Sequence, residues 1–164
     1  MSSQASVDSF NELVAYHVAL NDLFQRHQEA LLLLDLPRSI TLMEEYQTDL
    51  ARHIAAEEAV ILPVYGNRAG PVPGGTLEIF LAEHRKMAQT VEGFLADLHA
   101  MAPVPQEAIA LLDKECTYKH LVNHHDTREE NLLYRWMDRI TTVEERKVLV
   151  RRFVQMNGPI PQAG

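Results

Sequence analysis

The sequence predicts an all-α fold: an antiparallel up-down four-helix bundle with an additional short C-terminal helix. Apolar residues recur at three- and four-residue spacing through four long segments, and no segment reads as a strand. Proline or glycine marks each break between them, at Pro37, at residues 66–75 and at Pro103 with Pro105. Two of these connections are short, which makes antiparallel neighbours the natural packing.

Ser9 with Glu12 reads as a capping box, and behind it Phe10, Leu13, Val14, His17, Leu20, Phe24, Leu31 and Leu34 form one stripe. The first helix is expected over residues 9–36, where Pro37 stops it. Thr41 with Glu44 offers a second capping box for a helix carrying Leu42, Tyr46, Leu50, His53, Glu57 and Ile61, which ends near Pro63. Residues 66–75, rich in glycine and proline, form the long connection. Thr76 caps a third helix with Ile79, Phe80, His84, Met87, Val91, Phe94, Leu95 and Leu98 on its apolar face, expected to end at Ala102. After the proline turn, Ile109, Leu112, Tyr118, Leu121, Val122, His125, Glu129, Leu132 and Trp136 give the fourth stripe. Thr142 with Glu145 starts a shorter helix to about Met156, packed on the outside of the bundle.

With 164 residues, 46% of them apolar, the chain has enough for one core and too little for two comfortable ones. The expected organisation is a single domain over residues 1–164, the bundle spanning about 9–138 and the last helix about 142–156. Lys and Arg number 15 against 23 Asp and Glu, a formal charge of -8 that argues against nucleic acid or an anionic membrane surface as main partner. MSSQASVDSF has no cationic segment leading into an apolar core, and no apolar run is long enough to span a membrane. The one cysteine, Cys116, excludes an internal disulfide. A cytoplasmic location is therefore expected. Eight histidines in so small a chain direct attention to the polar residues on the apolar stripes.

A histidine and a glutamate four positions apart share one helical face, because four residues turn the chain through about 400°. In His53-Ile-Ala-Ala-Glu57 and His125-Asp-Thr-Arg-Glu129 that face is the buried one. Burying imidazole and carboxylate without partners is costly, so a metal or a mutual hydrogen bond must satisfy them. The motif occurs twice in similar settings, HIAAEEAVIL and HDTREENLLY, and Tyr46 and Tyr118 each lie seven residues before the histidine. The first helix thus matches the third, and the second matches the fourth.

Depth along the bundle is an independent test. His17 and His84 each lie eight residues after their caps, Ser9 and Thr76. His17 lies 20 residues before Pro37, while His53 lies 16 and Glu57 20 beyond it. His84 lies 19 residues before Pro103 and His125 20 after Pro105. At about 1.5 Å of rise per residue, four histidines and two glutamates converge on one layer. His27 competes with His17 for the first-helix role, but sits about 15 Å nearer the loop end and reads as a core-edge histidine with a hydrogen-bond partner.

The candidate metal ligands are His17, His53, Glu57, His84, His125 and Glu129. Four imidazoles and two carboxylates suit iron or manganese better than a thiophilic metal, and six protein ligands suit two octahedral ions, with Glu57 and Glu129 bridging. The order H, HxxxE, H, HxxxE over residues 10–138 resembles the hemerythrin-like family, also called the HHE cation-binding domain. The resemblance implies a non-haem di-iron centre with an oxo or hydroxo bridge, Mn or Zn serving as substitutes. It also implies small-molecule partners, namely dioxygen, nitric oxide or peroxide, with roles in oxygen binding, the oxidative or nitrosative stress response or iron-centre repair. The alternative is oxygen or iron storage or sensing without turnover. A homodimer is allowed. Oxygen carriers of this family have a second histidine four positions after the third-helix one, where this chain has Ala88, and they end in HxxxxD, to which His124 and Glu129 at five is the nearest approach.

Among the remaining residues, Cys116, His120 and His124 lie along one row of the fourth helix and read as a half-exposed polar flank. His99 is placed to interact with a helix dipole. Tyr46 and Tyr118 read as core aromatics within reach of the metal layer. Glu58 and Glu130 read as solvated neighbours of the ligands.

Overall fold

In the computed structural model, which describes residues 9–162, the Ser9 hydroxyl accepts from the Asn11 backbone N–H and donates to Asp138. A 3-10 turn, Phe10–Leu13, leads into α1, Val14–Leu32. The first helix ends four residues before the expected limit. Leu34 takes a left-handed conformation (φ 58°), with its N–H on the Leu31 carbonyl and that of Asp35 on the Ala30 carbonyl, which closes the helix end. Pro37 then sits in the first turn of α2, Leu36–Ala56, and starts that helix instead of stopping the previous one, because the first turn has no use for its missing N–H. Asp35, accepting from the Arg38 N–H, is the cap; the Thr41 hydroxyl bonds the Pro37 carbonyl one turn back inside the helix.

The helix does not die at Pro63. It passes through a π-helical turn, Glu57–Ile61, into α3, Leu62–Arg68, with the Leu62 N–H reaching the Glu57 carbonyl five residues back. Pro63 falls in the first turn of α3, where proline is tolerated. The connection therefore shortens to residues 69–76. Helix α4, Leu77–Ala100, is preceded by Thr76, whose side chain makes no capping bond, and α5, Pro105–Arg128, starts on its proline. A second π turn, Glu129–Leu133, joins α5 to α6, Tyr134–Ile140, again with an N–H (Tyr134) on the glutamate carbonyl five residues back. Thr142 and Glu145 form the expected capping box for α7, Val143–Asn157.

A π turn inserts one residue, and the face buried after it rotates accordingly. The fourth stripe is thus corrected: Leu133, Tyr134 and Met137 are buried, whereas Leu132 and Trp136 are half-buried. Near the start of α5 the stripe also shifts, to Ala108 and Leu111, leaving Ile109 exposed.

Helix α1 packs on α2, α2 on α4, α4 on α5, and α5 back on α1. Their apolar faces make two clusters. One gathers Phe10 and Tyr16 with Val60, Ile61, Phe80, Leu133 and Met137; the other gathers Phe24, Met43, Leu50, Met87, Val91, Leu111 and Val122. Along the helices His17, His53, His84, His125 and Glu129 fall between the stretches that supply the two clusters, and Glu57 falls at the edge of the first, so a polar layer separates two apolar ones. Helix α7 packs on α2 and its π turn rather than merely outside the bundle: Phe153 is fully buried, its ring 5.5 Å from Tyr16 and 5.6 Å from His53. Among the described residues no strand occurs, and no helix is long and apolar enough to cross a membrane.

The shifted register makes a direct prediction. Leu133→Ala should cost about 2–5 kcal/mol in denaturant unfolding and Leu132→Ala distinctly less. Equal losses would contradict the π turn.

Candidate metal centre

Each bundle helix contributes one imidazole to the layer, His17 from α1, His53 from α2, His84 from α4 and His125 from α5, and the two π turns begin on Glu57 and Glu129. All six are buried. Every Nε2 points inward at a carboxylate. His17 Nε2 lies 3.0 Å from Glu129, His125 Nε2 3.0 Å from the other oxygen of Glu129, and His53 Nε2 3.5 Å from Glu57. His84 Nε2 lies between the two, 3.3 Å from Glu57 and 3.5 Å from Glu129. The ligand atoms form two overlapping groups, His17, His53, Glu57, Glu129 and Glu57, His84, His125, Glu129, each with its atoms within 4.8 Å of one another. Both glutamates belong to both groups.

The interior of this cluster lacks enough protein hydrogen bonds to satisfy it. His53 Nε2, His84 Nε2, Glu57 Oε2 and both Glu129 oxygens are buried without a hydrogen-bond partner. Buried polar atoms are otherwise almost always paired. Converging orphans from imidazoles and carboxylates are what divalent or trivalent cations of intermediate hardness satisfy, so the residues fit such a metal.

Outside, the Nδ1 atoms meet a second ring. His84 Nδ1 lies 3.0 Å from Glu58, His125 Nδ1 3.0 Å from Glu83, and His53 Nδ1 3.0 Å from the Asn157 amide. Arg128 pairs with Glu83 and anchors itself on the Gly74 carbonyl at 2.8 Å. His17 Nδ1 has only the longer approaches of Glu130 at 3.6 Å and Asp126 at 4.0 Å. Glu58 is exposed, as expected of a solvated neighbour, and also partners a cluster histidine. Tyr134, fully buried, donates to Glu57 Oε1 at 2.7 Å and lies 3.2 Å from His17 Nε2.

Sequence reasoning missed Tyr134, Asn157 and Glu83. Tyr134 is out of phase with an unbroken helix, and Asn157 comes from a helix expected outside the bundle. Glu83 directly precedes His84, so strict helical phase turned it away from the layer. His27 is fully buried, which corrects its core-edge placement; its Nε2 lies 2.6 Å from buried Glu115 and its Nδ1 2.9 Å from Ser39. It stands apart from the six. Tyr46 and Tyr118 bond each other at 2.7 Å within the second apolar cluster. Cys116, His120 and His124 are exposed, Cys116 Sγ being 3.9 Å from His120, and exposed His99 lies 3.9 Å from Glu44.

The profile of the Hemerythrin HHE cation binding domain matches residues 8–137, most of the chain. The chain belongs to this hemerythrin family. No curated protein and no solved structure gives a significant match. For a hemerythrin domain, two buried histidine–glutamate groups fit a metal-binding site, and the family points to iron.

Without metal, protons balance the two carboxylates. Burial pushes His84 down, but Glu129 and Glu57 outweigh it and lift its pKa to about 11. His125 is likewise lowered by burial and raised more by Glu129 and Glu83, to about 9. His17 is also lifted well above the usual range, by Glu129 and Glu130 against burial. His53 goes the other way, to about 4, because burial dominates. Burial raises Glu129, yet His125, His17 and His84 hold it well below the usual carboxylate range.

The pH dependence follows in sign. Unfolded histidine titrates near about 6.5. The stability that His125 and His84 lend the metal-free protein is full below that pH and lost as pH rises through about 9 and then about 11. The Glu129 contribution is instead lost as pH falls through its depressed value, and neutral His53 adds a destabilisation as pH drops from about 6.5 towards about 4. Urea unfolding in chelator should therefore show declining stability from pH 7 to 10. Metal uptake at pH 7 should release protons, seen with an indicator dye. Proton-neutral uptake would contradict this account.

Proposed function

We propose that this chain is a non-haem di-iron protein that binds or reacts with nitric oxide, peroxide or dioxygen, serving the oxidative or nitrosative stress response or iron-centre repair in the cytoplasm. The observation that carries this reading is the sharing of Glu57 and Glu129 by two four-residue groups, so that one carboxylate pair would serve two metal positions, each completed by two imidazoles. His17 with His53 would hold one ion and His84 with His125 the other. Bound there, two irons would supply redox chemistry toward a small exogenous ligand, and Mn or Zn would be possible substitutes.

The surrounding residues suit that role. The alternation of helix ends in the two apolar clusters supports an antiparallel four-helix bundle, a rigid frame that fixes the layer from all sides. Tyr134 donates to Glu57 and so fixes that carboxylate's orientation. Glu58 and Glu83 hold the outer nitrogens of His84 and His125. Against His17, His53 and His125 lies a cavity of about 10 Å³, walled by Leu20, Leu50, Ile54, Met87 and Val122 together with the polar Asn21, Tyr46 and Asp126, room for one water-sized molecule. Ala88, four positions after His84, adds no fifth imidazole, which leaves the ligand set symmetric and favours reaction over reversible oxygen carriage.

Anaerobically purified protein should carry about two irons per chain and show near-ultraviolet oxo-to-iron absorption after oxidation. Glu57→Ala should abolish both ions, since Glu57 belongs to both groups. Stopped-flow mixing of the reduced protein with nitric oxide, peroxide and oxygen should show repeated turnover with at least one of them. Reversible spectra alone would replace the enzyme with a sensor or store, and absence of iron and of the absorption bands would refute the di-iron reading.

A further inference from the structure

We infer that the two metal positions are unequal, and that Asn157, at the end of α7, makes the His17/His53 position the weaker one. The inference rests on the two-metal reading above and concerns what lies behind its histidines. On one side both outer nitrogens face carboxylates at hydrogen-bond distance, His84 on Glu58 and His125 on Glu83, each at 3.0 Å. On the other side His53 faces a neutral amide at 3.0 Å, and His17 Nδ1 is buried without a hydrogen-bond partner, Glu130 and Asp126 standing at 3.6 and 4.0 Å.

A carboxylate that accepts the outer N–H pushes electron density toward the inner nitrogen and strengthens it as a donor; loss of such a partner typically weakens metal affinity about 10–100-fold. The Asn157 amide supplies no charge. In the arrangement observed its Nδ2 donates to His53 Nδ1, which leaves the ring proton on Nε2, the atom aimed into the cluster. Metal entry on that side then requires the proton to leave and the amide to turn its oxygen toward Nδ1. The amide turn is not needed where Glu58 and Glu83 already accept.

Asn157 is held in place by its surroundings. Tyr16 donates to the Gly158 carbonyl at 2.5 Å, and Gly158 adopts φ 92°, a left-handed turn that ends α7. Phe153, one turn earlier, meets His53 edge-on at 80°. Phe153, Asn157 and Gly158 lie beyond residue 137, where the family match ends. The neutral partner of His53 thus comes from α7, whereas the carboxylates behind His84 and His125 come from the bundle.

The test is native mass spectrometry of metal-stripped full-length protein titrated with Zn²⁺, and with Fe²⁺ under anaerobic conditions. One equivalent should give mainly a one-metal species, the second ion binding at least about 10-fold more weakly. Asn157→Asp, which puts a carboxylate behind His53, should tighten the second ion and shrink the one-metal population. Glu83→Gln probes the inequality without touching α7: it should weaken the first ion about 10-fold and narrow the gap. Two equal affinities in the wild type, unchanged by both substitutions, would overturn the inference and leave the two-metal reading standing; no uptake by the wild type would overturn that reading itself.

Discussion

Everything in this structure is arranged around the burial of two carboxylates, Glu57 and Glu129, at one level of an apolar helical bundle. Neither is exposed to water, and three of their four oxygens have no hydrogen-bond partner. An isolated carboxylate in such surroundings is strongly disfavoured unless cations face it. Four imidazoles face them here, one from each helix of the ring, with His17, His84 and His125 raised into the charged form and His53 neutral. The apolar clusters on either side exclude water, which strengthens every charge interaction in the layer and raises the cost of leaving it incomplete. A layer so organised needs positive charge at its centre, which protons or metal ions can supply.

The π turns belong to the same constraint. Both begin on one of these glutamates, and only one is followed by a proline, so Pro63 is not their common cause. Each turn lets the glutamate stay with the histidine four residues before it while the following segment rotates to new contacts. After Glu129 that rotation brings Tyr134 onto Glu57 and buries Leu133 in the first apolar cluster. After Glu57 it seats Ile61, Leu62 and Tyr65 in that same cluster. A local irregularity of backbone thereby links ligand placement to packing.

Much of this was legible in the sequence. Helical periodicity and turn residues gave the all-helical architecture and the level at which His17, His53, Glu57, His84, His125 and Glu129 meet, since rise per residue is nearly constant and each connection is flagged by proline or glycine. The resemblance to the hemerythrin family agrees with the matching profile. What escaped depended on departures from regularity. A strict period of 3.6 cannot foresee an inserted residue, so Leu132 and Trp136 were assigned to the face that Leu133, Tyr134 and Met137 occupy. Pro37 and Pro63 were read as stops although proline starts a helical segment equally well. Glu58 was legible as a neighbour of the cluster, but Glu83 and Asn157 were invisible because side chains that support a histidine from outside need share no periodicity with it; Asn157 lies 104 residues from the histidine it touches.

The claim most exposed to direct test is that two ions share one carboxylate pair. Anomalous diffraction at the iron absorption edge, on crystals grown from iron-loaded protein, should show two peaks inside the bundle, one beside His17 and His53 and one beside His84 and His125, with Glu57 and Glu129 between them. A single peak, or iron seated only at surface residues such as His120 and His124, would contradict the account.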